Sequence, residues 1–348
     1  MAMHAEIVSG LNDQADHVMN NGAPGTAAIC RALIALAEGD TLCGQRIASW
    51  DPQAVLRDAL PLRIAGGLHN LFRQGFEPDL GKIYHGELSD QMAIDSLVGD
   101  VVARHDTVLL PWLDSPPQTN EAGRSASFVA ALHWLASRVV PNFELNEIGS
   151  SAGMNLLIDR YRYVLGGVAS GPTDAPVTIR PMWNGPPPPA DPFTITSVRG
   201  CDIQPIQVSD DAAANRLMAY IWPEMPERFE RMAAGIDMIR TDPVDLAQAD
   251  AAKFVEARLA KPQGSSTTRV LMHSIVWQYL PDDTQRRIQV AMASAGEAAT
   301  IDKPLAWISL ETNRATFRHE LKVSYWPSGS EPVILGEAHA HGLWVNWF

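Results

Sequence analysis

Three cysteines in 348 residues, Cys30, Cys43 and Cys201, are too few and too scattered to build a disulfide framework, and no CxxC pair points to zinc or redox chemistry. This scarcity fits a reducing compartment. No stretch approaches the roughly 20 apolar residues of a membrane-spanning helix. The opening MAMHAEIVSGLNDQADH lacks the basic start and apolar core of a signal peptide. A cytoplasmic protein without a membrane partner is expected. Positive charge is also scarce, with 27 Lys and Arg against 40 Asp and Glu and a formal net charge of -13. Such a balance repels phosphate backbones, which excludes nucleic acid as the expected partner and favours a small-molecule or protein substrate. The densest basic pair, Arg286 with Arg287, reads as a solvated helix face.

Hydrophobic residues make up 46% of the chain and charged residues 19%, the balance of a globular protein with a sizeable core. The length exceeds the about 100 to 200 residues usual for one domain, so two are expected. From residue 5 to 112 apolar residues recur at helical spacing, as with Ile29, Leu33 and Leu36 after Pro24. A later helix is expected to open on Ser89 as its N-cap and to carry Ile94, Leu97, Val101 and Val108 on one side. The segment PWLDSPPQTNEAG then disfavours helix, which places a boundary between a helical domain, 1–115, and a second domain, 116–348.

After that boundary the pattern alternates. SASFVAALHWLASRVV reads as a helix, and FELNEIGSSAGMNLLIDRYRY as a strand, a small-residue turn and a second helix. ITSVRGCD, GIDMIRT, TRVLMHS and KPLAWISLET are apolar runs with polar ends that read as strands, with helical segments among them. Strand-helix alternation implies a buried, mainly parallel sheet with helices on both faces. ELKVSYWP and PVILGEAHAHGLWVNWF follow without a helix between them, as a closing antiparallel hairpin. The proline-rich stretch 171–192 is read as an insertion at the sheet's edge.

The sharpest chemical signal is Glu147-Ile148-Gly149-Ser150-Ser151-Ala152-Gly153, where an acid ends a buried strand and small residues lead toward a helix start. Small residues permit close approach of a ligand, and exposed N–H groups at such a turn favour an anion. In an open parallel sheet, ligands sit beyond the carboxyl ends of the strands, where strand order reverses. Asp202 after ITSVRGC and Asp242 after GIDMIRT therefore become candidates for hydroxyl and amino recognition. His273, ending VLM, is a candidate base. Asn120 and Arg124 suit a substrate or cofactor carboxylate. His339 and His341 are a weak candidate metal pair with no third ligand nearby, so no metal site is expected.

Two resemblances bear on these residues. Glu147 to Gly153 resembles the first motif of class I S-adenosylmethionine-dependent methyltransferases, and HSIVWQYLPDD resembles their fourth-strand motif. QTNEAGRSA, NEIGSSAGMNLLIDRYRY, GCDIQPIQV and IWPEMPERFERM are similar to a bacterial family of uncharacterised proteins, domain-of-unknown-function family 2332, over most of the chain. The resemblance implies a three-layer, Rossmann-like methyltransferase fold with a seven-stranded sheet, plus an all-α N-terminal domain. It further implies S-adenosylmethionine as cofactor, with Glu147, Gly149, Ser151 and Gly153 around its methionine part, Asp202 at the ribose and Asp242 at the adenine. Ser151 departs from that pattern where a glycine would stand, and Gly149 to Gly153 also satisfies the G-x-S-x-G elbow of α/β-hydrolases. A serine esterase would use Ser151, Asp242 or Asp282, and His339 or His341. A non-catalytic nucleoside-binding protein is the third reading.

Overall fold

A computed structural model describes residues 5–348. Its chain forms two compact units. One comprises residues 5–119 together with Ser209–Glu230, and the other comprises Asn120–Val208 with Arg231–Phe348.

The first unit is helical: α1 (Ala5–Asn20), α2 (Pro24–Ala37), α3 (Leu42–Ala48), α4 (Leu60–Arg73), the short α5 (Gly81–Tyr84) and α6 (Gln91–Leu109). Ile29, Leu33 and Leu36 fall on one face of α2 and enter a core with Ile7, Leu11, Ile64 and Leu68, as their spacing dictates. In α6 the N-cap is Asp90, whose side chain accepts from Ala93 N, so Ser89 lies one residue outside. Ile94, Val98, Val101 and Val102 are buried, whereas Val108 is 57% exposed. Non-helical angles at His105 kink the helix and shift the phase of the pattern beyond it. Helix α2 starts at Ala23 without a side-chain cap of its own. Glu224 serves instead, accepting from Thr26 N at 2.8 Å and from Thr26 Oγ1 at 2.8 Å. A carboxylate there satisfies an orphan donor and the helix dipole together. Glu224→Ala is expected to lower stability by about 1–2 kcal/mol, read as a drop in the urea unfolding midpoint.

The second unit is a mixed α/β structure. Helix α7 (Ser125–Ala136) leads into β1 (Asn142–Ile148), followed by β2 (Arg162–Leu165), β3 (Val168–Ser170), β4 (Thr178–Ile179), β5 (Met182–Asn184) and β6 (Thr194–Asp202). After α8 (Asp211–Ala219), which belongs to the helical unit, come α9 (Pro226–Thr241), β7 (Leu246–Gln248), α10 (Ala251–Ala260), β8 (Thr268–Ser274), α11 (Asp282–Glu297) and β9 (Leu305–Thr312). Strands β10 (His319–Trp326), β11 (Gly329–Ala338) and β12 (Trp344–Trp347) close the chain.

Nine strands form the large sheet in the order β7-β6-β1-β8-β9-β10-β11-β12-β5. The strands from β7 to β9 run parallel, and β9 to β12 form an antiparallel meander. The expectation of seven strands is corrected to nine: GIDMIRT is helical and β7 stands in its place, and two further strands are added. The tail PVILGEAHAHGLWVNWF folds as two strands rather than one, and β5, from the proline-rich insertion, pairs parallel to β12 at the edge.

The alternation of β1 assigns its two faces. Glu144, Asn146 and Ile148 look toward α10 and α11, where Ile148 packs with Val255, Ile288 and Met292. On that face Arg258 donates to Asn146 Oδ1 at 2.8 Å, and both Arg258 and Arg269 pair with Glu144. Phe143 looks the other way, onto Phe193 at 5.6 Å, and Phe193 meets His133 of α7 at 4.7 Å. Helices thus cover both faces. Residues 236–242 of GIDMIRTD are not a strand end. Met232, Ile236 and Ile239 are buried at helical spacing within α9, which carries the segment as far as Thr241.

Candidate functional site

Parallel pairing of β1 with β6 on one side and with β8 on the other makes the carboxyl end of β1 a point where strand order reverses. A crevice for a ligand is expected outside such a point. The chain there does not enter an α-helix. Gly149, Ser151 and Gly153 have φ of 71°, 52° and 87°, and the bend leads only into a single 3-10 turn, Met154–Leu157, before the chain continues to β2. Three left-handed residues in five turn the chain too tightly for a helix to start at once.

The bend is held by protein atoms on both sides. Ser150 N donates to Cys201 O at 3.0 Å, Gly153 N to Ser150 O at 2.7 Å, and Ile206 N to Ser151 O at 3.1 Å. Ser151 N donates to Asp202 Oδ2 at 2.8 Å, and Met154 N to Asn120 Oδ1 at 2.7 Å. These N–H groups therefore already have acceptors, which corrects the picture of an anion cradle. The close approach that demands glycine is likewise to protein: a Cβ on Gly149 would stand 2.4 Å from Val276 Cγ2, and one on Gly153 2.8 Å from Val244 Cγ2.

Several side-chain oxygen atoms beside the bend, by contrast, lack partners. Glu147 is 1% exposed. Its Oε1 accepts from Asn155 Nδ2 at 2.8 Å, while Glu147 Oε2, Asn155 Oδ1 and Ser151 Oγ are buried without a partner. Burial pushes the Glu147 carboxyl up to about 7, against the opposing pull of the Asn155 amide, the nearby Ser150 hydroxyl and the Arg124 charge. Three orphan oxygens beside one bend call for a group rich in N–H or O–H donors. Asp202, one residue beyond the partner of Ile148, is half-buried. Its second oxygen accepts from Gln204 N at 2.9 Å, and a carboxylate with about four lone-pair sites retains capacity beyond two such bonds.

The other sequence candidates have different surroundings. His273 is buried, its Nδ1 lies 2.7 Å from Glu311 Oε1, and Trp307 Nε1 donates to its Nε2 at 2.9 Å. The tryptophan bond makes Nε2 the acceptor and leaves the proton on Nδ1, so the ring is fixed at the end of β8 with both nitrogens engaged. Asp242 lies beyond α9, 74% exposed at its side chain, and pairs with Arg160 at 3.0 Å. Helical winding of GIDMIRT removes it from the strand ends. Asn120 joins the bend through Met154, and Arg124 Nε donates to Ala340 O at 2.7 Å. His339 and His341 lie in the loop after β11 with rings 5.5 Å apart, and His341 N donates to His339 Nδ1 at 3.1 Å. Asp282 is exposed in the first turn of α11. Among the described residues no cluster of three His, Cys, Asp or Glu could hold a metal, and no helix is long and apolar enough to cross a membrane.

The family described as "Uncharacterized protein conserved in bacteria (DUF2332)" matches residues 9–347. The chain belongs to that family. No curated protein and no solved structure matches. Membership of DUF2332 thus accounts for the wording shared along the chain and carries no activity with it. Two contributors at this end of the sheet were missed from sequence: Asn155, which is legible only as an amide eight residues after Glu147, and Glu311, whose role exists only through the pairing of β8 with β9.

Proposed function

We propose that the carboxyl ends of β1 and β6 bind a nucleoside cofactor of the S-adenosylmethionine type and that the chain is a methyltransferase acting on a small molecule or a protein. The carrying observation is the set of buried, unpartnered oxygens of Glu147, Asn155 and Ser151 at a strand-order reversal. The parallel order β7-β6-β1-β8-β9 supports a Rossmann-like reading, since it is the 3-2-1-4-5 arrangement of doubly wound sheets. In this assignment Glu147 and Asn155 receive the donors of an ammonium group, and Asp202 receives ribose hydroxyls. The cofactor supplies an electrophilic methyl group on a sulfonium centre. Protein residues bind and orient it, which is the main work of such a reaction. His273 holds Glu311 and Trp307 in place rather than accepting a proton.

The esterase reading has one observation in its favour: Ser151 is a non-glycine residue at φ 52° inside G-x-S-x-G. Against it, Ser151 Oγ has no hydrogen-bond partner and Asp242 is paired with Arg160. One experiment separates the two. Calorimetric titration with S-adenosylmethionine and S-adenosylhomocysteine is expected to show binding to wild type that weakens roughly ten-fold or more in Asp202→Asn. Ester hydrolysis by wild type that vanishes in Ser151→Ala, without nucleoside binding, would replace this proposal by the esterase.

A further inference from the structure

Helix α9 carries a half-buried cation, Arg231, whose inner edge is buried and meets no acceptor. Arg231 lies four residues before Gly235, and residues so spaced share a helix face. A Cβ on Gly235 would stand 2.5 Å from Met154 Sδ and 3.4 Å from Tyr161 Oη, so this face of α9 rests on the segment that follows the glycine bend. The charge of Arg231 reaches the Tyr161 hydroxyl, which itself donates to Met154 O at 3.0 Å. Arg231 Nε and Nη2 are both buried and both without a hydrogen-bond partner.

Those two nitrogens form one edge of the guanidinium, the edge whose parallel N–H bonds match the two oxygens of a carboxylate or the oxygens of a phosphoryl group. Other arginines of the same unit with little exposure are satisfied. Arg258 is bonded to Glu144 and Asn146, and Arg269 to Glu144 and to the carbonyls of Lys261 and Pro262. Two guanidinium N–H groups shielded from water without an acceptor lose their hydration with no compensating bond, and an oxyanion ligand removes that penalty. We propose that Arg231 is an oxyanion-binding residue, whose Nε–Nη2 edge takes a carboxylate or phosphoryl group of a small ligand on the Met154–Tyr161 side of the bend. The inference goes beyond the nucleoside reading and does not depend on it.

Thermal unfolding of the full chain in acetate, glutamate or inorganic phosphate, each against chloride at constant ionic strength, tests the assignment. Wild type is expected to be protected by at least one oxyanion. Carboxylates alone assign a carboxylate ligand, and phosphate alone a phosphoryl one. Arg231→Met, which removes the charge at similar length, is expected to unfold at higher temperature than wild type without ligand and to lose the protection. Arg231→Lys keeps the charge but not the fork, and should weaken apparent anion affinity roughly ten-fold or more. Equal protection of wild type and Arg231→Met overturns the proposal, as does wild type unfolding alike in oxyanions and chloride. Because no nucleoside is used, failure of S-adenosylmethionine to bind leaves this result intact, and the converse holds too.

Discussion

Glu147→Gln is expected to stabilise the protein above neutral pH and to flatten its stability profile between pH 4.5 and 7, the ordinary and the raised values for this carboxyl. The sign follows from proton linkage. In the folded state the buried carboxyl holds its proton up to about 7, whereas the unfolded chain releases it near 4.5. Across that interval the folded state binds more protons, so stability falls as pH rises. Above it the loss is constant, and a shift of this size corresponds to about 3 kcal/mol. Glutamine keeps an oxygen for Asn155 Nδ2 and cannot ionise. Urea unfolding at a series of pH values reads the effect directly. A variant with the wild-type slope, or one less stable than wild type at pH 8, would show that water or a neighbouring cation already compensates the Glu147 charge.

Gly149→Ala should be the more damaging change at every pH, with a loss of roughly 3 kcal/mol or more. Two costs combine there. A left-handed φ disfavours any side chain by about 1–2 kcal/mol, and overpacking a fixed neighbour costs about 1–3 kcal/mol. Gly149 incurs both, since its φ is 71° and the new methyl would stand 2.4 Å from Val276 Cγ2. Gly167 provides the control: its φ is 93° but nothing lies within 4 Å of the position a Cβ would take. Gly167→Ala should therefore cost only the backbone part, about 1–2 kcal/mol. Chemical denaturation of both variants measures the difference. Equal losses would mean that Val276 moves aside freely and that the bend is defined by its angles alone.

Legibility in the sequence followed the range of the interactions involved. The apolar spacing of α2 and the Asp90 region at the start of α6 were readable because helix periodicity and capping act within a few residues, although the cap itself lay one residue from where it was expected. GIDMIRT taken alone reads as a strand, yet Met232, Ile236 and Ile239 carry a helical spacing once Pro226 is the helix start. Only a strand over GIDMIRT would bring Asp242 to the sheet, and the helix instead leaves it exposed beside Arg160. The bend at Gly149 was evident from its small residues, but the absence of a following α-helix was not, because MNLLIDRY has a helical composition and is confined to one 3-10 turn between the left-handed bend before it and strand β2 after it.

By itself the sequence determined an α/β alternation after a helical stretch, a buried acidic strand end at Glu147 and a tight turn beyond it, since each depends on neighbouring residues and on which side chains leave water. Only the tertiary structure decided what meets that turn. Val276 fills the space above Gly149, Asp202 occupies the Ser151 N–H, Glu311 and Trp307 immobilise His273, and the Nε–Nη2 edge of Arg231 is buried without an acceptor. These partners come from strands and helices distant along the chain, and their meeting is set by strand order and packing, which no local pattern of residues encodes.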